Sequence, residues 1–309
     1  MAEKGLGNTE LAEATGIAPS TITRLQNSDR LGTIAGSTIN ALCLALNCTP
    51  NDLMVVVCDR EAPPQQEKPE VSRSPQIAIP GSNLTLEFVP VEGGTFQMGS
   101  IERSEEKPVR SVSVPGFSIG KYLITQEQYE AVMGDNPSHF KGANRPADSV
   151  SWYKAEEFCQ KLSELTGEPI CLPTEAQWEY AARGGDRSQN YRYAGSNDLD
   201  EVGWYKDNSD GQNHEVGQKK PNELGIYDMS GNLWEWCVDD WNPNYKEASS
   251  DGSPWRSPDG DPRKTLRGGA WYSIPKYCRF TMRDTTYPED RCNDFGLRVV
   301  LLPKTQIDK

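Results

Sequence analysis

Apolar residues in the first 58 positions recur every three or four residues, which is the spacing of one face of an α-helix. Ile39, Leu42 and Leu46 follow this spacing in the longest stretch. Pro19 and Pro50 stand in first helical turns, where a missing N–H costs no hydrogen bond. The pattern predicts a small all-α domain in residues 1–58, with short helices over 9–15, 19–25, 37–46 and 49–53.

The next stretch, residues 59–81, is rich in Pro, Gln, Glu and Ser. This composition predicts an extended, flexible linker. A main domain follows over 82–303, and it opens with strand-like alternation at 84–91 and a second strand-like stretch at 93–99. Long loops rich in Gly, Asn, Asp and Trp begin beyond Gly184.

Three amphipathic helices are predicted in the main domain, over residues 125–133, 151–165 and 174–183. Thr125 and Thr174 are suitable N-caps because their hydroxyls accept hydrogen bonds from first-turn N–H groups. In the second helix, the core residues are expected to be Tyr153, Phe158 and Leu162.

The stretch 267–300 has two ends typical of framework and a middle that is not. Gly268 and Gly269 allow a turn or a close backbone approach, and 297–301 is apolar enough for a buried strand. Between them, aromatic residues alternate irregularly with Ser, Thr, Asp and Arg. Aromatic and small polar residues in an aperiodic segment are typical of a binding surface.

Composition sets broad limits on the class of protein. The 309 residues include 27 Gly and 22 Pro, which favours a loop-rich globular protein of two domains. The net charge of -13 argues against nonspecific nucleic-acid binding by the whole chain, although a small DNA-contacting module remains compatible with it. Neither a signal peptide nor a membrane-length apolar run is evident, so a cytoplasmic protein without membrane contact is expected.

Within residues 1–58, the segments TELAEATGIAPSTITRLQN and STINALCLALNCTPNDL resemble the Cro/repressor-type helix-turn-helix family. The resemblance implies that Ser20, Thr21, Thr23 and Arg24 face the DNA groove. That family has a further helix in front, for which only the first eight residues remain here. The domain is therefore expected to bind DNA or, as a truncated form, to make protein contacts.

Seven ordered segments of the main domain resemble the formylglycine-generating enzyme (sulfatase-modifying factor) family. The resemblance implies a loop-rich α+β domain of the C-type-lectin type over nearly all of 82–303. The segments are FVPVEGGTFQMGS, VSWYKAEEFCQKLSELTG, CLPTEAQWEYAARGG, YAGSNDLDEVGWY, VGQKKPNELGIYDMSGNLWEWCVD, LRGGAW and GLRVV.

The family enzyme oxidises a substrate cysteine with two cysteines that hold copper. Aligned on the family pattern, those positions fall on Pro275 and Phe280, and Arg283 matches the arginine that follows. Cys278 and Cys292 are at the wrong spacing. Copper(I) and disulfide chemistry need a thiolate pair of defined separation. We therefore expect no copper and no oxidase activity.

The sulfoxide synthases of the same superfamily use an iron site built from several histidines. This chain has two histidines, His139 and His214. A site that needs three imidazoles cannot be assembled from two, so we expect no iron.

The resemblance also implies structural calcium at the segment that begins with Asp228. Its ligands would be a side-chain oxygen of Asp228, backbone carbonyls and the carboxylate of Glu235, an all-oxygen set that suits a hard cation. The alternative is that both carboxylates only satisfy backbone donors. The expected ligands are Asp228, Gly231, Leu233 and Glu235, with a second, less well aligned site at Asn208 and Asp210.

The C-terminal stretch resembles, more narrowly, the variable proteins of diversity-generating retroelements. In these proteins a C-terminal segment is rewritten at template adenines, and most residues of this stretch are reachable from an asparagine codon. The resemblance implies a surface over 272–294 that binds a protein or other macromolecular ligand. The residues expected to contact it are Tyr272, Ser273, Ile274, Tyr277, Phe280, Met282, Asp284, Thr285, Tyr287, Asp290, Cys292 and Asp294.

Three functions therefore follow from the sequence. The first is a non-catalytic binder with a variable surface. The second is a cysteine-dependent oxidase, which rests on the fold resemblance alone. The third is a DNA-binding regulator in which the lectin-like domain is a sensor.

Overall fold

The computed structural model describes residues 75–257 and 260–304. The residues predicted to contact DNA, Ser20, Thr21, Thr23 and Arg24, lie outside these ranges. The main domain mixes short strands, helices and long loops, which confirms the α+β prediction. Within the described ranges, no helix is both long and apolar enough to cross a membrane.

The strands of the described residues form three sheets. A five-stranded sheet has the order β1-β2-β5-β11-β6, a four-stranded sheet has the order β10-β7-β8-β9, and β3 pairs with β4. The strands predicted near residues 84 and 93 are confirmed as β2 and β3. The bounds are β1 Gln76–Ala78, β2 Thr85–Val91, β3 Gly94–Met98, β4 Arg110–Val114, β5 Phe117–Gly120, β6 Ile170–Cys171, β7 Trp234–Asp240, β8 Lys264–Arg267, β9 Arg283–Thr286, β10 Phe295–Gly296 and β11 Val300–Leu301.

The three predicted helices are confirmed, and a short fourth helix follows them. Thr125 and Thr174 each complete a capping box with the glutamine three residues later. Tyr153, however, is 57% exposed, so its assignment to the core was wrong. The buried face of that helix follows Ala155, Phe158 and Leu162, and Tyr153 lies off it. The helices are α1 Gln126–Met133, α2 Trp152–Thr166, α3 Glu175–Ala182 and α4 Leu199–Val202.

The linker prediction was wrong for its last residues. Gln76–Ala78 form β1, which pairs antiparallel with β2, and Ile79 is fully buried. Composition concealed this strand because the apolar Ile77 and Ile79 are embedded in a proline-rich stretch. The folded domain therefore begins before residue 82.

Only Val300–Leu301 of the buried strand predicted at residues 297–301 form a strand, and a separate short strand precedes residue 297. Phe295–Gly296 pair in parallel with β7, whereas Val300–Leu301 pair with β5 and β6. Between them the side chain of Arg298 is fully buried. The chain end therefore joins two sheets.

The two largest of three clusters of buried apolar residues in the described chain form most of the core. The first packs α1 and α2 against Trp236, and the second surrounds Trp178 of α3. Met282 lies in the first cluster and Phe280 in the second. The C-terminal segment is thus anchored in both clusters.

Candidate ligand-binding surface

Gly268 and Gly269 redirect the chain after β8. Their φ angles are 100° and 78°, a region that glycine adopts at little cost. A Cβ on Gly269 would lie 2.8 Å from the carbonyl oxygen of Tyr277 and 2.9 Å from Sγ of Cys278. The turn packs directly on the short 3₁₀ helix Pro275–Tyr277. The predicted close backbone approach is confirmed.

Eight of the twelve residues predicted to contact a ligand are exposed or half-buried, and we call them the exposed set. Tyr272 and Tyr287 are each 51% exposed and Ile274 is 37% exposed. The set therefore combines aromatic and aliphatic area with small polar groups, as binding loops do. Its members are Tyr272, Ile274, Tyr277, Asp284, Thr285, Tyr287, Asp290 and Cys292.

The other four predicted contacts are buried, so their assignment to the surface was wrong. Phe280 and Met282 are core residues, at 5% and 3% exposure. The Ser273 hydroxyl accepts a hydrogen bond from the backbone N–H of Ala270 at 3.0 Å and so stabilises the local turn. Asp294 is 3% exposed. These four side chains support the surface from beneath.

Two arginines of the C-terminal stretch are buried against glutamates of α3. Arg283 donates from Nε and Nη2 to the two carboxylate oxygens of Glu175, at 2.6 and 2.9 Å. Arg267 donates from Nη2 to Glu179. In a site without water each charge needs its partner, because a lone buried charge is strongly unfavourable. The segment is thereby fixed to α3.

Two further arginines make equivalent pairs elsewhere. Arg279 donates from Nη2 and Nη1 to the two oxygens of Glu106, at 2.6 and 3.0 Å. Arg298 donates from Nη2 and Nε to Glu235, at 2.8 and 3.0 Å. All four side chains are at most 3% exposed. The sequence marked Arg298 as framework but did not predict these glutamate partners.

Asp294 lies behind Tyr272 and carries a carboxylate oxygen, Oδ2, with no hydrogen-bond partner among the described residues. Burial raises the pKa of Asp294 to about 6, although a hydrogen bond from the Tyr272 hydroxyl acts in the opposite direction. Burial and the charge of Asp294 raise the pKa of Tyr272 to about 12. The Tyr272 hydroxyl therefore stays protonated near neutral pH.

The substitution Asp294→Asn is expected to remove a pH-dependent loss of stability. The folded-state pKa of about 6 exceeds the ordinary value near 4, so the folded protein binds this proton more tightly than the unfolded chain. The wild-type free energy of unfolding should therefore fall as the pH rises from about 4 to about 6, and stay lower above. The variant should be more stable by about 1–3 kcal/mol near pH 8. Urea denaturation of both proteins between about pH 4 and pH 8 checks this, and the difference in free energy of unfolding should narrow near pH 4. A difference that does not depend on pH would contradict the prediction.

The two cysteines of the C-terminal stretch do not supply the pair that a copper oxidase needs. Cys278 is fully buried, and burial raises the pKa of its thiol to about 12. Thiolate is the reactive and metal-binding form, so this residue is poorly suited to either role. Cys292 is exposed and unpaired. The aligned positions are occupied by Pro275 and Phe280.

The expected calcium ligands differ in how free their oxygens are. Asp228, with φ of 60°, accepts a hydrogen bond from the N–H of Gly217, while its Oδ1 has no partner in the described chain. Both oxygens of Glu235 are already engaged by Arg298, and Oε2 also accepts from Trp178 Nε1 at 2.7 Å. A carboxylate neutralised by a guanidinium is a poor cation ligand. Glu235 is therefore the least suited of the expected ligands, whereas Oδ1 of Asp228 has no partner among the described residues; calcium at Asp228, Gly231, Leu233 and Glu235 stays a prediction.

The second expected cation site fits no better. The amide of Asn208 donates to Asp200 and to the carbonyl of Gly203, and its oxygen accepts from the N–H of Tyr205. Asp210 is exposed. Across residues 75–257 and 260–304, no three His, Cys, Asp or Glu side chains are grouped to hold a metal ion.

Comparison with known families settles the fold that these elements form. Residues 78–302 match the sulfatase-modifying factor enzyme 1-like domain. The chain belongs to the sulfatase-modifying factor enzyme 1-like family. Residues 1–59 match the Cro/C1-type helix-turn-helix DNA-binding domain. Both resemblances noted in the sequence are confirmed.

Proteins with different names share this sulfatase-modifying factor enzyme 1-like domain. The chain is 36% identical over 272 residues to Chaperone protein LppX of Paenibacillus barcinonensis, with 71% of this chain and 90% of that protein covered. Treponema denticola variable protein 1 superimposes with a TM-score of 0.66 and 30% identity over 74% of this chain and 99% of its own. PvdO from Pseudomonas aeruginosa superimposes with a TM-score of 0.62 and 27% identity, and the match covers 70% of this chain and 94% of PvdO. The family therefore defines the fold and leaves the activity to the site.

Proposed function

We propose that this protein is a non-catalytic, ligand-binding variable protein of a diversity-generating retroelement. It displays exchangeable side chains on a scaffold of the C-type-lectin type. The observation that carries the proposal is the division of residues 272–294 into an exposed set and a buried, ion-paired support. The similarity to Treponema denticola variable protein 1 supports it.

This division is what a diversified surface requires. The exposed set is more accessible than the buried residues of the segment, so its side chains can change at less cost in stability than those residues. The tyrosines give large contact area with little loss of conformational entropy, and Thr and Asp adapt their hydrogen bonds. A rigid scaffold that carries changeable contacts is the usual design of a binding loop.

The proposal also separates exchangeable from constant positions inside the segment. Arg279, Phe280, Met282 and Arg283 are each at most 5% exposed, and each holds the segment to the rest of the domain. These four residues are expected to stay constant while their exposed neighbours vary. The sequence alone placed Phe280 and Met282 in the variable group.

The oxidase alternative has less support. Its cysteine pair is absent from positions 275 and 280, and Cys278 is enclosed. The fold relates the chain to an enzyme family, but a fold does not carry a reaction without its reacting groups.

A DNA-binding regulator is a second candidate, favoured by one observation. Residues 1–59 match a Cro/C1-type helix-turn-helix DNA-binding domain. In this function Ser20, Thr21, Thr23 and Arg24 would contact DNA, and the lectin-like domain would sense a ligand. A gel-shift experiment with the full chain and with an Arg24→Ala variant tests it: binding to a defined DNA that the variant weakens supports the role.

The DNA that neighbours the gene provides the first test of the proposed function. We expect a reverse transcriptase gene and a near-copy of the 3′ end of this gene, with adenines at the codons of the exposed set. Sequencing the locus checks this. A locus that contains neither of these elements would contradict the proposal.

A further inference from the structure

The loop that joins β3 to β4, residues 99–109, lies outside the C-terminal segment and carries a conspicuous apolar surface. Ile101 is 79% exposed, the highest value among the large hydrophobic side chains of the described residues, and Val109 is 41% exposed. A single exposed aliphatic residue is common on protein surfaces. The contacts of this loop are what distinguish it.

The first residue of the loop is fixed to α3. Gly99 donates its N–H to Oε1 of Glu179 at 2.9 Å, and its carbonyl accepts from Nη2 of Arg183 at 2.9 Å. Both partners are tied to the same network as Arg267. The loop therefore starts from the support that also holds the C-terminal segment.

The far end of the loop is held by that segment itself. Arg279 pairs with Glu106 through two short hydrogen bonds, and Glu106 is fully buried. The carbonyl of Glu105 accepts from Nη1 of Arg283 at 2.7 Å. Two arginines that we assign as constant therefore hold the loop in place while exposed residues around them vary.

The loop also borders the exposed set directly. The guanidinium carbon of Arg103 lies 6.0 Å from the ring centroid of Tyr277. Oε2 of Glu102 lies 3.4 Å from Nε of Arg279. The part of the loop that carries Ile101 is therefore next in sequence to two residues that contact the C-terminal segment.

The charges around Ile101 are paired with one another. Arg103 contacts Glu105 at 3.3 Å, and Glu102 contacts Arg192 at 3.2 Å. An apolar centre with a neutralised polar rim is typical of protein–protein interfaces. A membrane surface does not fit this arrangement, because anionic lipids attract basic clusters and this chain has a net charge of -13.

We propose that the β3–β4 loop is a constant second wall of the ligand-binding surface, and that the ligand is a folded protein that buries Ile101 together with the neighbouring tyrosines. The inference rests on the proposed function. It adds a recognition element that no diversification would change, so every ligand of every variant would contact the same loop.

The test is a selection followed by one substitution. The full chain is displayed on yeast with the codons of the exposed set randomised, and binders are selected against lysozyme as the probe protein. Ile101→Ser is then introduced into several independent binders. The matched control is Leu165→Ser. Leu165 is 46% exposed and lies near the C-terminal end of α2, about 20 Å along the helix from Trp152 at its N-terminal end.

We expect Ile101→Ser to weaken lysozyme binding by about tenfold or more in most binders, as removal of a buried interface anchor does. Leu165→Ser should leave affinity unchanged. If binders emerge and Ile101→Ser is neutral in them, the second wall is overturned while the proposed function survives. If no binder emerges from a folded library, the proposed function fails first. A change in oligomeric state with unchanged affinity would assign Ile101 to self-association and overturn the inference.

Discussion

Replacing Arg283 by methionine is expected to lower the free energy of unfolding by about 3–5 kcal/mol. The variant leaves the carboxylate of Glu175 buried without the two hydrogen bonds it now accepts at 2.6 and 2.9 Å. It also removes the donor to the carbonyls of Glu105 and Asn242. The guanidinium carbon stands 4.1 Å from the ring centroid of Tyr245, and that contact is lost as well.

Chemical denaturation of the wild type and the variant measures this effect. The matched control is Lys220→Met, which breaks an exposed pair with Glu201 at 2.9 Å and should cost far less stability than the Arg283 variant. Adding Glu175→Gln to the Arg283 variant should restore part of the loss, because it removes a buried charge whose remaining cation, Arg267 Nε, lies 3.6 Å away. An Arg283 variant as stable as the control would show that the ion pair does not hold the segment.

The second large effect separates the buried from the exposed residues of the segment. Phe280→Ala should lower the free energy of unfolding by about 3–5 kcal/mol and Met282→Ala by about 2–5 kcal/mol, because each opens a cavity in a packed core. Ile274→Ala and Tyr287→Ala, at 37% and 51% exposure, should each change it by less than about 1 kcal/mol.

These four alanine variants are compared by thermal and urea denaturation under one set of conditions. All four residues lie within residues 274–287, so the variants compare buried and exposed positions of one segment. The two buried-residue variants must lose clearly more free energy of unfolding than the two exposed-residue variants. Equal losses at Tyr287 and Phe280 would mean that the segment is a continuous structural element without exchangeable positions.

Local signals in the sequence predicted the helices well. Thr125 with Gln128, and Thr174 with Gln177, form the capping boxes that define where α1 and α3 begin. Such contacts span three residues and need no knowledge of the fold. The glycine pair after β8 was predictable for the same reason, since its backbone conformation is a local requirement.

The buried ion pairs and core residues beneath the exposed set were not predictable from local sequence signals. Arg279 and Glu106 are 173 positions apart, and nothing in either neighbourhood indicates the other. Phe280 and Met282 lie in an aperiodic segment, so no hydrophobic period distinguished them from Tyr277 and Tyr287. Met282 carried one signal, because methionine is not reachable from an asparagine codon. The ion pair between Arg298 and Glu235, one of the expected calcium ligands, was not predictable for a related reason. Arg298 donates a hydrogen bond to Glu235 in the folded domain, and only the tertiary structure reveals that ion pair.

The exposed set itself was found largely from composition and resemblance. Tyrosine among Ser, Thr and Asp indicated a binding surface, and eight of the twelve residues are exposed or half-buried. The structure contributed the division between residues that can change and residues that cannot.

Deep sequencing of the 3′ end of this gene, in a population grown from one cell, tests the central claim most directly. The account predicts substitutions concentrated in the codons of the exposed set, with those of Arg279, Phe280, Met282 and Arg283 unchanged. A population without substitutions, or with substitutions spread equally over exposed and buried codons, would contradict it.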